Sequence, residues 1–396
     1  MSSTLLSTII ARMQRWQSVL PTEEQYLVYD LDEALRALKR SYNFPWALKK
    51  STLKVFNDVL EYAMASDHKA LAYIDNQDDG FGNKMRAVYT SLQEFYEDPT
   101  NRSQIAEIWD NGTEVLGIRY KGDFAGTIDL DSTSIDSGYT VSGDATTKAL
   151  DTTVFKKNVS SLKVTVVAST STATVERTFT AYSDTNYLKK YYFRWVYFDS
   201  TPTNVTLKLG TDSSNYLYKA VTTQFDGRAF KANDWNLVAF DLNAASTIGT
   251  FSSTSISYES ITATGLSSGN MFLDQSSVKE WKLLDYWYYS NYMIVLTGAT
   301  AATQGYFMDT NLVYSTDSSL LSPDEFVDVI MYEALISTVA DRENSKIYSV
   351  IDTKRTKAWS DLLESYPDLE PLIINNYRRI DSNMDFQQSL NGESYE

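Results

Sequence analysis

Apolar positions recur at helical spacing towards both ends of the chain and at strand spacing in its middle. Leu6, Ile9, Ile10, Met13 and Leu20 make a stripe over residues 4–20 with Arg12 and Arg15 off it, and Pro21 predicts the stop. Thr22 followed by Gln25 reads as a capping box for a second helix, whose face is Leu27, Leu31, Ala34, Leu35 and Leu38. Phe44-Pro45-Trp46 ends that helix, because the residue before a proline is pushed away from helical angles. Residues 51–65 read either as helix or as a hairpin turning at Asn57-Asp58. Residues 75–83 read as a loop rich in Asp, Asn and Gly, 103–109 as a short helix and 115–120 as a strand.

From about residue 123 to 281 the chain becomes rich in Thr, Ser and Tyr, with short β-branched runs separated by turn formers. Strands are predicted at 162–168, 177–181, 191–198, 205–209, 216–221, 236–241, 257–262 and 271–273, a density that suggests an antiparallel sandwich or jelly roll. Aromatic and apolar runs at 286–289, 292–296, 304–309 and 312–314 predict further strands. Ser322-Pro323-Asp324-Glu325 is a strong helix start, with serine at the cap, proline in the first turn and glutamate three residues on. That helix continues through Val327, Ile330, Met331, Ala334 and Leu335. A second, over 345–365, is expected to bury Ile347, Val350, Ile351, Ala358 and Leu362 before Pro367, and the tail after Asp381 is polar. The pattern predicts an α+β multidomain protein. A helical body with some strands is formed by both chain ends (1–121 and 284–396, the latter with the helical pair and the polar tail), and an antiparallel β-sandwich, a jelly roll, is inserted at 122–283.

Composition narrows the chemistry. The 396 residues are 43% hydrophobic and 22% charged, which fits folded protein and excludes wholesale disorder. Cysteine is absent, so disulfides, thiolate nucleophiles and zinc–thiolate sites are excluded. A net charge of -16 argues against gripping nucleic acid, which needs clustered Lys and Arg. No apolar run is long enough to span a bilayer, and the first residues lack a basic segment of the secretory kind, so a soluble chain made in the cytoplasm is expected, with no membrane partner.

Catalytic signatures are weak. His68 is the sole histidine, and no nucleophile elbow, phosphate loop or dinucleotide-binding glycine pattern accompanies it. Asp75 to Gly80 looks like a calcium loop but has Gln77 in place of a carboxylate and Arg86 where the closing glutamate belongs. Asp129, Asp131 and Asp274 are the candidates for a structural calcium in the sandwich. Glu176, Glu259 and Glu280 are isolated and do not read as an acid pair for glycoside hydrolysis. No catalytic residue, metal ligand or cofactor is assigned, and the chain is expected not to be an enzyme. Trp195, Trp235 and Tyr258 are the candidate glycan contacts, since aromatic faces suit the apolar faces of sugars. The competing reading is core packing, because alternation sends about half of such residues inward.

Two resemblances follow from longer stretches. Phe44-Pro45-Trp46, Asp58 to Asp67 with Tyr62, Tyr89 to Phe95, Leu116-Gly117-Ile118 and the Leu321 to Phe326 helix opening together resemble structural proteins of tailed-bacteriophage particles. The layout is most similar to the head-to-tail connector or adaptor (neck) group. That likeness implies a non-enzymatic virion protein, assembled in the host cytoplasm as a homo-oligomeric ring, twelve-fold as is usual in that group. It also implies contacts with portal and tail proteins, and genomic DNA passing without specific binding. Asp234-Trp235 through Asp241-Leu242, then Ile256 to Ile261 and Phe272-Leu273-Asp274, are similar to carbohydrate-binding jelly rolls. This implies the alternative function, a carbohydrate-binding or host-adhesion virion protein whose partner is a glycan.

Overall fold

The computed structural model describes residues 3–16, 24–75, 88–89, 92–97, 104–110, 113–119, 127–130, 138–157, 159–167, 171–290, 294–296, 303–305, 318–321, 323–340, 345–367 and 369. About half of these lie in strands and a quarter in helices. The expected mainly helical body carrying an inserted sandwich is therefore overturned in favour of a predominantly antiparallel β protein. The physical reason lies in the flanks, which supply strands of their own. One three-stranded sheet has the order Leu48–Val55, Lys282–Ser290, His68–Asp75, and a four-stranded one the order Glu61–Ala63, Thr113–Arg119, Gln104–Asp110, Val88–Tyr89. The helix expected over 103–109 is the strand Gln104–Asp110, paired with its neighbour from Gln104↔Arg119 to Asp110↔Thr113. Residues 51–65 hold strand ends on either side of Asn57-Asp58, where Asp58 adopts φ 57°, but the two strands join different sheets and make no hairpin. Pro21, Thr22, Ser322, the segment 76–83, Asp131, the run 312–314 and the tail after Asp381 lie outside the described residues.

Five α-helices are described: α1 (Leu6–Gln14), α2 (Glu24–Ser41), α3 (Leu92–Glu97), α4 (Asp324–Ala340) and α5 (Ser345–Ser365). None is long and apolar enough to cross a membrane. The chain divides into two compact units, one of Met1–Ser51, Ala65–Asp75 and Asp285–Glu396, the other of Thr52–Met64 and Asn76–Leu284.

In the first unit, α1, α2, α4 and α5 bury one apolar cluster. Leu6, Ile9 and Met13 meet Leu27, Leu31 and Leu35, Val327, Ile330 and Leu335, and Ile351 and Leu362. Each such side chain removed from water contributes about 1.5–3 kcal/mol. The Phe44-Pro45-Trp46 segment closes the cluster with rings: Phe44 stacks on Trp46 at 4.8 Å and meets Phe326 at 4.7 Å. α5 buries a narrower stripe than its sequence offers, leaving the expected core residues Ile347 and Val350 exposed while Ile351, Ala358 and Leu362 face inward. In the strands of this unit, Asp67 accepts from Lys49 Nζ at 2.5 Å, Tyr288 Oη at 2.7 Å and Ser290 Oγ at 2.8 Å. Burial works against the Asp67 carboxylate, yet these donors hold it below the usual aspartate range.

The second unit is built round a sandwich of two six-stranded antiparallel sheets. One has the order Ala145–Asp151, Ser161–Val166, Gly269–Glu280, Lys190–Phe198, Asp234–Asp241, with Ile128–Asp129 pairing Gly269–Glu280. The other has the order Ser246–Ile248, Asn215–Val221, Asn204–Asp212, Ile256–Leu266, Ser171–Tyr182, Tyr139–Gly143. Strands cross repeatedly from one sheet to the other, in the manner of a jelly roll. Between the sheets Leu162, Val164, Val196, Phe198, Val238 and Leu273 meet Val175, Val205, Leu207, Leu209 and Ile261. In the smaller four-stranded sheet, Phe95 of α3 packs on Ala106, Ile108 and Val115. Gly117 makes this approach feasible, since a Cβ there would stand 2.8 Å from Ile108 Cδ1.

Candidate functional site

Alternation along Lys190–Phe198 sorts its side chains between two environments. Tyr192, Arg194, Val196 and Phe198 enter the sandwich; Tyr191, Phe193, Trp195 and Tyr197 take the outer face of the sheet. The inward set includes a charge. Arg194, 1% exposed, donates to Glu259 Oε1 at 2.7 Å and to the Tyr139 hydroxyl at 2.7 Å. Arg177 reaches the same Glu259 oxygen at 2.6 Å, and Tyr192 donates to the other at 2.8 Å. The Arg177 and Arg194 guanidinium carbons lie 4.7 and 5.4 Å from the Tyr139 ring centre. One carboxylate thus ties strands of both sheets together, an arrangement whose disruption strands buried cations.

The outer face is divided. At one end Phe56 lies edge-on to Tyr191 and Phe193, 4.9 Å from each, and Phe225 joins it at 5.7 Å. Lys54 Nζ donates to Asp241 Oδ2 at 2.6 Å and sits 5.1 Å from the Tyr191 ring. Burial opposes the Lys54 charge, but the hydrogen bond to Asp241 raises its pKa above the ordinary lysine value. Beneath this cover Lys279 donates to the Asn57 carbonyl at 2.8 Å. Burial pushes its pKa down, with Asp58 opposing and Lys157 adding to the fall.

Beyond Phe225 the face opens into a cleft of about 400 Å³ lined by Trp195, Leu237 and Trp235, with Lys156, Lys157, Asp58 to Glu61, Tyr96, Gln224 to Asp226, Arg228, Lys231 and Asp234 around them. Each wall is held by identifiable bonds. Asp274, fully buried, accepts the backbone N–H groups of Lys156 at 2.6 Å, Lys157 at 2.8 Å and Gln275 at 2.6 Å. That brings the Lys156 ammonium to 4.8 Å from the Trp195 ring centre. On the other side the Phe225 N–H donates to the Leu237 carbonyl at 2.8 Å, and Lys231 N–H to Asn236 Oδ1 at 2.8 Å. Arg228 pairs with Asp226 and Glu61, and the Tyr96 hydroxyl donates to Glu61 at 2.7 Å. Trp235 meets Tyr197 edge-on at 5.8 Å, and Tyr197 meets Phe272 at 5.3 Å, so aromatic rings continue across three strands at the open end.

Of the three residues proposed from sequence for glycan contact, the structure brings Trp195 and Trp235 together in this cleft. Tyr258 is elsewhere, on the other sheet, 4% exposed, with its hydroxyl donating to Glu176 at 2.7 Å. Burial and the Glu176 carboxylate raise its pKa. It lies in register with Gly210, whose missing side chain leaves room for Tyr216, 6.4 Å from Tyr258; a Cβ there would be 2.5 Å from Tyr216 Cβ. Of the calcium candidates, Asp274 serves the backbone anchor just described and the exposed Asp129 accepts Gln275 Nε2 at 3.2 Å. His68 is buried and stacks on Tyr288 with ring centres 5.5 Å apart. Lys156, Arg228, Glu61 and Tyr96 were not singled out in the sequence; they come from four separate stretches that no local motif connects.

No protein-family model matches the chain, and no curated protein matches it. Solved structures do. The chain is similar to the family 30 carbohydrate-binding module of a Clostridium thermocellum cellulosomal cellulase, at 11% identity and TM-score 0.32 over 39% of this chain and 97% of that one. It is similar to the family 11 module of the same organism, solved with a β-1,3-1,4-mixed-linked tetrasaccharide, at 11% identity and TM-score 0.30 over 39% of this chain and 96% of that one. A third is the enzymatically active domain of bacteriophage CBA120 tailspike protein 4, at 12% identity and TM-score 0.26 over 36% of this chain and 19% of that one. Likeness at this level says nothing about ligand.

Proposed function

We propose that the second unit binds a glycan through the cleft floored by Trp195 and Trp235. The observation that supports this is the pairing of two partly buried indoles on the outer face of a sheet, in a cleft of about 400 Å³ whose rim carries Lys, Arg, Asp and Glu side chains. Apolar faces with polar groups placed round them suit a pyranose, which is apolar on its ring faces and hydroxylated at its edge. The role is binding without cleavage. Asp226 and one oxygen of Glu61 are committed to Arg228 and the other Glu61 oxygen to Tyr96, which fits holding a wall better than passing a proton.

The test is a glycan array followed by calorimetry with Trp195→Ala and Trp235→Ala. Each variant is expected to keep its circular-dichroism spectrum and to lose at least about tenfold in affinity, or ~1.4 kcal/mol. Absence of any glycan binding, or undiminished binding by both variants, rules the proposal out. Release of shorter oligosaccharides during incubation overturns the non-enzymatic part. The connector reading, with its ring and its portal and tail partners, rests on the sequence resemblance alone. Native mass spectrometry tests it separately, a closed ring being the outcome it requires.

A further inference from the structure

The cleft is walled on three sides, and the walls have a consequence for which part of a glycan enters. Along the strand direction the floor stops at Phe225 and the Asp58 to Glu61 stretch, because Phe56 already occupies the surface over Tyr191 and Phe193. On the side of Gly269–Glu280, the backbone of Lys156 and Lys157 is tied to Asp274 and the Lys156 ammonium lies over Trp195. On the side of Asp234–Asp241, Phe225 bonds to Leu237 and Lys231 to Asn236. The remaining side runs out past Trp235 and Tyr197.

From this geometry we infer that the site receives the end of a sugar chain, or a short side branch, and not the interior of a long polymer. This rests on the glycan reading above. A chain threaded through the site needs two exits, one for each direction of the polymer. Here a pyranose stacked at Trp195 meets Phe225 and the 58–61 segment on its far side, so only one neighbour continues outward. These walls are strongly held. Phe56 is 2% exposed and Lys279 Nζ holds the Asn57 carbonyl at 2.8 Å, so the far wall is part of the packed structure and opening it would require unfolding that end of the face. Binding affinity is therefore set by the first two or three sugar residues, with later ones lying in solvent.

The experiment is calorimetric titration of the full chain with β-1,4-gluco-, β-1,4-galacto- and α-1,4-gluco-oligosaccharides of two to six residues, together with a cyclodextrin as an α-1,4-glucan that has no ends. Affinity for the sugar type that binds is expected to level off by about three residues, changing less than about twofold from three to six. The cyclodextrin is expected to bind at least about tenfold more weakly than linear α-1,4-maltotriose, or not at all. A rise of more than about tenfold between three and six residues, or a cyclodextrin that binds as tightly as the linear trimer, overturns chain-end recognition and leaves the glycan reading standing. Failure of every sugar in the series to bind, together with a glycan array on which nothing binds, sinks both.

Discussion

Phe193 and Trp195 are two positions apart on one strand and project from the same face, yet the first is sealed and the second is open. Phe193 is covered by Phe56 and Phe225; Trp195, among the described residues, has the Lys156 ammonium 4.8 Å from its ring centre and a cleft beside it. Intrinsic hydrophobicity does not separate them. What separates them is a stretch of chain more than a hundred residues earlier, which reaches one and stops short of the other. A large aromatic residue on the outer face of a sheet is therefore core or open surface according to what is laid over it.

Substitutions can break this comparison, and the largest effect is expected on the inner face of the same strand. Glu259→Ala leaves Arg177 and Arg194 buried without their shared carboxylate and should cost up to about 5 kcal/mol, read from the midpoint of urea unfolding. Phe56→Ala removes the cover from Tyr191 and Phe193 and should cost about 3 kcal/mol in the same measurement. Trp195→Ala should cost less than about 1 kcal/mol while weakening glycan binding. If Phe56→Ala and Trp195→Ala destabilise equally, the two ends of the face are both core and the contrast fails.

The smallest effect is a pH dependence. Burial lowers the Lys279 pKa below its unfolded value, so between the folded pKa and about 10.4 the unfolded chain binds more protons than the folded one. Stability carried by this group is depressed below that window and recovers as pH rises through it. Raised tyrosine pKa values, such as that of the buried Tyr62, act with the opposite sign above pH 10. The quantity to measure is the difference in stability between wild type and Lys279→Met, in which the tyrosines cancel. That difference should shift towards the wild type between neutral and alkaline pH; a flat difference would place the Lys279 ammonium in water.

Much of this arrangement could be read from sequence where side-chain period decides it. The alternation in 191–198 predicts one inward and one outward set, and both sets are found, with Trp195 and Trp235 on the outer face. The reading failed where a short apolar run fits two periods. Gln104-Ile105-Ala106-Glu107-Ile108-Trp109 satisfies a helix as well as a strand, and the Asn111-Gly112 pair that follows it is the hairpin signal that separates the two. It failed again at Ile347 and Val350, which fit the apolar stripe of α5 but lie exposed. The cleft was out of reach for a different reason. Its floor follows from the alternation of two strands, but its walls come from 58–61, 96, 156–157 and 224–231, and their convergence is fixed by bonds such as that from Lys156 N–H to Asp274 that leave no trace in spacing.

That bond separates where the 156–157 loop sits from what it displays. Asp274 grips two main-chain amides and is indifferent to the side chains attached to them. Any residue except proline offers the same N–H. Positions 156 and 157 are thus interchangeable parts on a fixed mount, and a library varied at just these two sites should change what the cleft prefers while moving the unfolding midpoint by little.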